Sequence, residues 1–128
     1  MDTLTTNGVT VSVETNYLEQ QSNPSRKSFL FAYTIKINNG NNFPIQVLFR
    51  HWIIKDALMQ LRKVDGEGVV GVQPIILPNE FFEYTSYCDF ETEIGQMKGH
   101  YLVRNLLNQS EFFIDIPMFA MYANGVLN

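Results

Sequence analysis

Between Phe29 and Ile37 every second residue is large and apolar: Phe29, Phe31, Tyr33, Ile35 and Ile37. A period of two belongs to a strand and places all five side chains on one face of a sheet, whereas a helix would scatter them around its axis. The pattern recurs. Val9, Val11 and Val13 alternate with Thr10, Ser12 and Glu14, which predicts a strand with one wet face. Ile45 to Ile54 is apolar on both faces and reads as a central strand. Phe81 to Cys88, Met97 to Val103 and Glu111 to Ile116 are further strands, the last two joined by a hairpin loop over Asn105 to Ser110. Gln20 to Lys27 is a polar loop, and Asn38-Asn39-Gly40-Asn41-Asn42 is a strong turn signal. Short strands at this spacing, with no long helical pattern, predict an all-β sandwich or barrel.

One stretch is ambiguous. In Ile53 to Leu61, apolar residues at 54, 57, 58 and 61 also fit a helix face. Strands flank it and Asp65-Gly66 is a hairpin signal, so strand-turn-strand is the expectation. The 128 residues carry no internal repeat and no linker, and residues 1–128 are expected to form one domain. Hydrophobic residues make up 45%, enough for a core without staples. The net charge of −4 argues against a nucleic-acid backbone as partner, which calls for a basic face. The single cysteine, Cys88, cannot close an internal disulfide and suits a reducing cytoplasm. Met1 to Gly8 has no basic or apolar region of a signal peptide, and no apolar run approaches the ~18 residues of a membrane span. The sequon at Asn108-Gln109-Ser110 reads as turn chemistry.

Gly66, Gly68 and Gly71 spell G-x-G-x-x-G, the spacing of a dinucleotide fingerprint. That site needs a buried strand before the loop and a helix after it, so that helix N-terminal amides meet the pyrophosphate. Leu61-Arg62-Lys63-Val64 is too polar for such a strand, and Pro74 and Pro78 exclude the helix. The expectation is instead a type I′ hairpin turn centred on Asp65-Gly66, with Val64 facing Glu67 and Lys63 facing Gly68. Gly68 and Gly71 would then be strand glycines marking a bulge or a close approach. A looser role stays open, in which the amides of Gly66, Gly68 and Gly71 face a small anion.

No catalytic constellation stands out. His51 and His100 are the only histidines, and neither lies at metal-ligand spacing with a cysteine pair. Asp56 or Asp115 could supplement them, but the favoured reading is histidines packed or exposed on strands. Cys88 lies in an aromatic strand with no cysteine-enzyme signature and reads as a small core hydrophobe. Glu91 and Glu93 read as a solvated loop. Arg50-His51-Trp52 combines residue types enriched at protein interfaces, so all three are candidate partner contacts. Against that stands an arginine satisfied by a buried carboxylate beside a core tryptophan.

Taken together, these runs resemble the ApaG family. The matching stretches are Gln21-Ser22-x-Pro24, Phe31-Ala32-Tyr33-Thr34-Ile35, Arg50-His51-Trp52-Ile53-Ile54-x-Asp56 and Gly66-Glu67-Gly68-Val69-Val70-Gly71-x-Gln73-Pro74. Phe82-Glu83-Tyr84-Thr85-Ser86, Gly95-x-Met97-x-Gly99-x-Tyr101, Ile116-Pro117-x-Phe119 and the terminal Val126-Leu127-Asn128 continue the match. Departures are local: Tyr87 precedes Cys88 where the family has glycine, and Asp89-Phe90 follows it where Pro-Leu is usual. The resemblance implies an immunoglobulin/fibronectin type III-like antiparallel β-sandwich in the bacterial cytoplasm and an association with cobalt and magnesium tolerance. It implies no defined catalytic activity. The expected function is a non-enzymatic module, monomer or homodimer, binding an unidentified protein partner, with no cofactor, nucleic acid or membrane. The alternative is a small-ligand module holding a pyrophosphate-containing nucleotide or a divalent metal near Gly66 to Gly71.

Overall fold

The computed structural model describes residues 1–123, so the terminal Val126-Leu127-Asn128 match lies outside the described residues. Its strands are β1 (Asp2–Thr6), β2 (Val9–Tyr17), β3 (Phe29–Asn39), β4 (Ile45–Asp56), β5 (Leu61–Glu67), β6 (Ile75–Ile76), β7 (Phe81–Phe90), β8 (Ile94–Asn105) and β9 (Glu111–Tyr122). They form two antiparallel sheets. One runs β1-β2-β3-β7, and the other runs β5-β4-β8-β9 with β6 also pairing β4. This is the expected all-β sandwich, consistent with the immunoglobulin/fibronectin type III-like type. Among the described residues no helix is long and apolar enough to cross a membrane.

The alternation in the sequence is the alternation of the sheets. Val9, Val11 and Val13 of β2 and the odd residues Phe29 to Ile37 of β3 all point inward and are buried. They meet Ile45, Trp52, Met97, Tyr101, Ile114 and Phe119 of the other sheet. Tyr33 bridges the layers, with its ring 5.6 Å from Trp52 and 5.9 Å from Phe119. Each such side chain contributes roughly 1.5–3 kcal/mol by leaving water.

Three local features differ from expectation, each for an identifiable reason. Asp65 and Gly66 are not a turn. Both lie inside β5, paired with His51 and Arg50 of β4. The β4–β5 reversal comes earlier, at residues 57–60, where Asp56 Oδ1 accepts the Leu58 and Gln60 amides at 2.9 and 3.1 Å. That carboxylate gives the backbone an alternative to helix and settles the ambiguous segment as strand-turn-strand. The strand expected to end at Ile116 continues to Tyr122, because a register shift between Met97 and Gly99 of β8 leaves an unpaired position in β9 beside Pro117. At the start of the chain, Asn7 and Gly8 both have positive φ (50° and 79°) and form the hairpin turn that adds β1 to β2.

Ile45 to Ile54 looked apolar on both faces because the strand changes phase. The β4–β8 register shifts between Val47 and Phe49, so Leu48 is an extra residue. Ile45 and Val47 point inward before the bulge; Leu48, Trp52 and Ile54 are buried after it. Phe49, His51 and Ile53 are thereby turned outward.

Asn39, fully buried at the end of β3, ties the crossover together. Its Nδ2 donates to the carbonyls of Phe43 and Ile76 at 2.9 and 3.0 Å, and its Oδ1 accepts the Asn41 amide at 3.0 Å. Asn39→Ala should therefore cost about 2–4 kcal/mol, the net worth of three hydrogen bonds plus stranded buried groups. Urea denaturation of both proteins measures it, and a cost below that of a typical surface substitution would contradict this role.

Candidate functional site

The β4–β5 ladder brings the two sequence-level candidates side by side. Arg50 pairs with Gly66, His51 with Asp65 and Trp52 with Val64. Alternation then divides Arg50-His51-Trp52. Trp52 is 3% exposed in the core, so it cannot be a partner contact. Arg50 is half-buried on the inner side, and His51 lies on the outer face.

Arg50 has no carboxylate partner among the described residues, contrary to one expectation. Its Nη1 donates instead to the carbonyls of Glu67 and Gly68 at 2.9 and 3.1 Å. The guanidinium lies directly on Gly66, where an added Cβ would come 2.8 Å from its Cζ and both terminal nitrogens. Glycine at 66 leaves the guanidinium its place, and a larger residue there would have to displace it.

The other two glycines shape the loop after β5. Val69 and Val72 exchange backbone bonds at 2.8 and 3.0 Å, closing a two-residue turn at Val70-Gly71. Both turn residues have positive φ, 42° and 83°. The anticipated turn geometry is present, but at Val70-Gly71 instead of Asp65-Gly66, and Gly68 and Gly71 are loop and turn residues rather than strand glycines. Gly68, at φ 59°, would drive a Cβ into the Val72 carbonyl oxygen at 2.0 Å. As expected from Pro74 and Pro78, no helix follows. Gly68 donates its amide to Leu48 at 2.7 Å, so the amides at 68, 69 and 72 are all used within the chain.

On the outer face, His51 Nδ1 lies 2.6 Å from Asp65 Oδ1. Register places His100 opposite His51 and Asp115 opposite His100, giving a row Asp65–His51–His100–Asp115 across four strands. The two imidazole centroids are 4.6 Å apart. Phe113 meets His100 edge-on at 5.0 Å, and Phe49 stacks beside His51 at 6.4 Å. Phe49, Leu102 and Phe113 fill the adjoining row, and Phe113 is 55% exposed. Phe49 and Phe113 escaped sequence reading: the β4 bulge hides the phase of Phe49, and Phe113 has an apolar neighbour on each side. Among the described residues no group of three or more His, Cys, Asp or Glu side chains could hold a metal ion. Glu91 and Glu93 lie exposed in the β7–β8 turn.

Between the sheets, Tyr84 of β7 and Tyr101 of β8 share a hydroxyl–hydroxyl bond. Burial raises the pKa of both above the ordinary tyrosine range, and burial likewise raises that of Tyr33 against the pull of its Ser86 hydrogen bond. Cys88 is a core side chain, as expected. Burial pushes its thiol up to about 11, although Arg62 beside it works the other way. It is not an activated nucleophile.

Residues 19–105 match the ApaG domain family. The chain belongs to that family. It is 50% identical over 93 residues to Protein ApaG of Bordetella pertussis, covering 73% of this chain and 71% of that one. It is 43% identical over 113 residues to Protein ApaG of Escherichia coli, covering 88% and 90%. A crystal structure described as the ApaA protein from Bordetella pertussis superposes with a TM-score of 0.88 at 42% identity, over 92% of this chain and 95% of the other. The ApaG domain match includes both halves of the β4–β5 ladder.

The loop geometry separates two glycine substitutions. Gly71→Ala should cost about 1 kcal/mol, the penalty of a left-handed alanine with free space around it. Gly68→Ala should cost distinctly more, since its Cβ also meets a carbonyl; paired thermal melts would show equal losses if this account is wrong. The buried hydroxyls and thiol predict sensitivity to alkali. Tyr33, Tyr84, Tyr101 and Cys88 have folded-state pKa values above their ordinary 10.0 and 9.0. The folded chain keeps protons that the unfolded chain releases, so their stability is fully present below pH 9 and falls as pH rises. The urea midpoint should drop from pH 9 to 11, and tyrosinate absorbance of the buried three should appear only with unfolding.

Proposed function

We propose that this ApaG domain is a non-enzymatic recognition module of the bacterial cytoplasm, and that it binds another protein through the outer face of β5-β4-β8-β9. The family's association with cobalt and magnesium tolerance would then be exerted through that partner. One observation carries the reading: Phe49, His51, His100 and Phe113 form a continuous ring cluster on a solvent-facing surface. The outer face of an antiparallel sheet is ordinarily polar, and exposed apolar patches rimmed by charge are typical of interaction sites. Here Glu67, Asp65 and Asp115 rim the cluster by register. Aromatic anchors with a polar surround are the usual anatomy of a binding hot spot. The small-ligand reading at Gly66, Gly68 and Gly71 has no comparable support, because the loop's amides at 68, 69 and 72 already have acceptors in the chain.

The test is capture of partners from a cytoplasmic lysate on the immobilised chain across several salt conditions. A specific partner should bind wild type and lose roughly thirtyfold or more in affinity to a Phe49→Ala, Phe113→Ala double variant. Thr85→Ala, on the other sheet, should bind normally. No specific partner under any condition, or full retention by the double variant, would sink the proposal.

A further inference from the structure

The edge of the sheet holding β5 carries a different, self-complementary pattern. Within β5, alternate residues bond to β4. Gly68 donates to Leu48, and the register continues through Gly66–Arg50, so the even positions face β4. Leu61, Lys63 and Asp65 therefore turn their N–H and C=O groups to the open edge, and Glu67 its N–H, its carbonyl being held by Arg50. An unpaired edge of this kind is a template for another strand.

We propose that two copies of this chain associate edge to edge through antiparallel β5–β5 pairing, with the twofold axis at Val64. In that register Lys63 of each copy faces Asp65 of the other, twice by symmetry, and Leu61 faces Glu67. The backbone groups of Leu61, Lys63 and Asp65 and the N–H of Glu67 bond directly, while the two Val64 side chains meet at the close, non-bonded position. Neighbouring registers are penalised. Centring on Lys63 sets the two Lys63 face to face, and centring on Gly66 sets Asp65 against Glu67 twice; centring on Asp65 sets the two Asp65 against each other while each Lys63 faces a Glu67. Of these registers, only the one centred on Val64 has two opposite-charge pairs and no like-charge pair, and it is the one favoured with a second copy.

The turn after β5 points to the same occupant. Val70 is β-branched yet holds φ 42°, a conformation that suits asparagine or glycine, and it is 52% exposed beside Val72 at 48%. Nothing in the monomer accounts for a valine there. In the proposed register the 69–72 turn of one copy runs toward the other copy's Leu61 and its 57–60 turn, where Leu58, Met59 and Leu61 are 65%, 64% and 60% exposed. Two apolar clusters left bare in one copy would cover each other in two. The proposal is independent of the outer-face reading, since it uses the edge and leaves Phe49, His51, His100 and Phe113 open.

Sedimentation velocity on the full chain, from micromolar to millimolar, should show a reversible monomer–dimer equilibrium. Lys63→Asp should weaken it roughly tenfold or more, as should Asp65→Lys, by creating two like-charge pairs each. Lys63 makes no hydrogen bond or ion pair in the monomer among the described residues, so Lys63→Asp leaves the fold intact, which a thermal melt checks. Mixing the two variants should restore association as a heterodimer, because positions 63 and 65 are then both acidic in one copy and both basic in the other. A wild type that stays monomeric at millimolar concentration would overturn the proposal. So would single variants that associate as wild type does, or a mixture that fails to recover.

Discussion

Leu48 is one residue more than β8 can pair with, and the side of the sheet on which every later residue of β4 lies depends on it. Before the bulge, odd positions fill the core; after it, even positions do. Trp52 can therefore pack on Tyr33 and Phe119 while His51, its neighbour, joins the outer surface. The same shift turns Arg50 toward the inner side, over Gly66. Without the extra residue, Phe49 and His51 would point inward and Trp52 outward, and the core and the ring cluster would both be lost. Bulges redirect side chains at functional edges in just this manner.

Arg50 converts that phase into a fixed loop. Its guanidinium gathers the Glu67 and Gly68 carbonyls as β5 ends, while the Gly68 amide returns to Leu48, the bulge residue itself. Gln73 Nε2 donates to the same Leu48 carbonyl at 3.0 Å, and the Val47 amide donates to the Pro74 carbonyl at 3.0 Å. The bulge in β4 and the loop between β5 and β6 are thus one hydrogen-bonded unit. This explains why sequence features twenty residues apart belong to one site.

Much of the sandwich was legible because a period of two is read directly from β2 and β3, whose inner and outer residues differ sharply. The segment at Ile53 to Leu61 is strand-turn-strand, as expected, although the deciding atom, Asp56 Oδ1, cannot be identified from spacing. Legibility failed where a single residue changes phase. The Leu48 bulge has no composition signal, and Pro117 reads as readily as a strand end as it does as a bulge, so the phase of Phe49 and the last half of β9 are not legible. The Asp65-Gly66 signal failed for another reason. Turn propensity is local, and pairing with His51 and Arg50 along β4 outweighed it. The sequence names Arg50, His51 and Trp52 together, and alternation separates them; the row joining His51 to His100 is not legible, because β8 lies about fifty residues further along the chain.

The glycine spacing shows why a motif is not yet a mechanism. Gly66 makes room for a guanidinium, Gly68 avoids a carbonyl and holds a positive φ, and Gly71 needs only its positive φ. Three unrelated constraints produce G-x-G-x-x-G, and they are not the three of a dinucleotide loop, where the glycines serve a tight turn, approach of a pyrophosphate and helix–strand packing. The two cases differ in what a Cβ would strike. In the dinucleotide site the second glycine's Cβ would strike the ligand and the third's the packed strand, and here the added Cβ strikes Arg50, Val72 or nothing. A fingerprint recurring for these internal reasons would persist in any chain that keeps the Leu48 bulge, Arg50 and the 69–72 turn, whatever it binds.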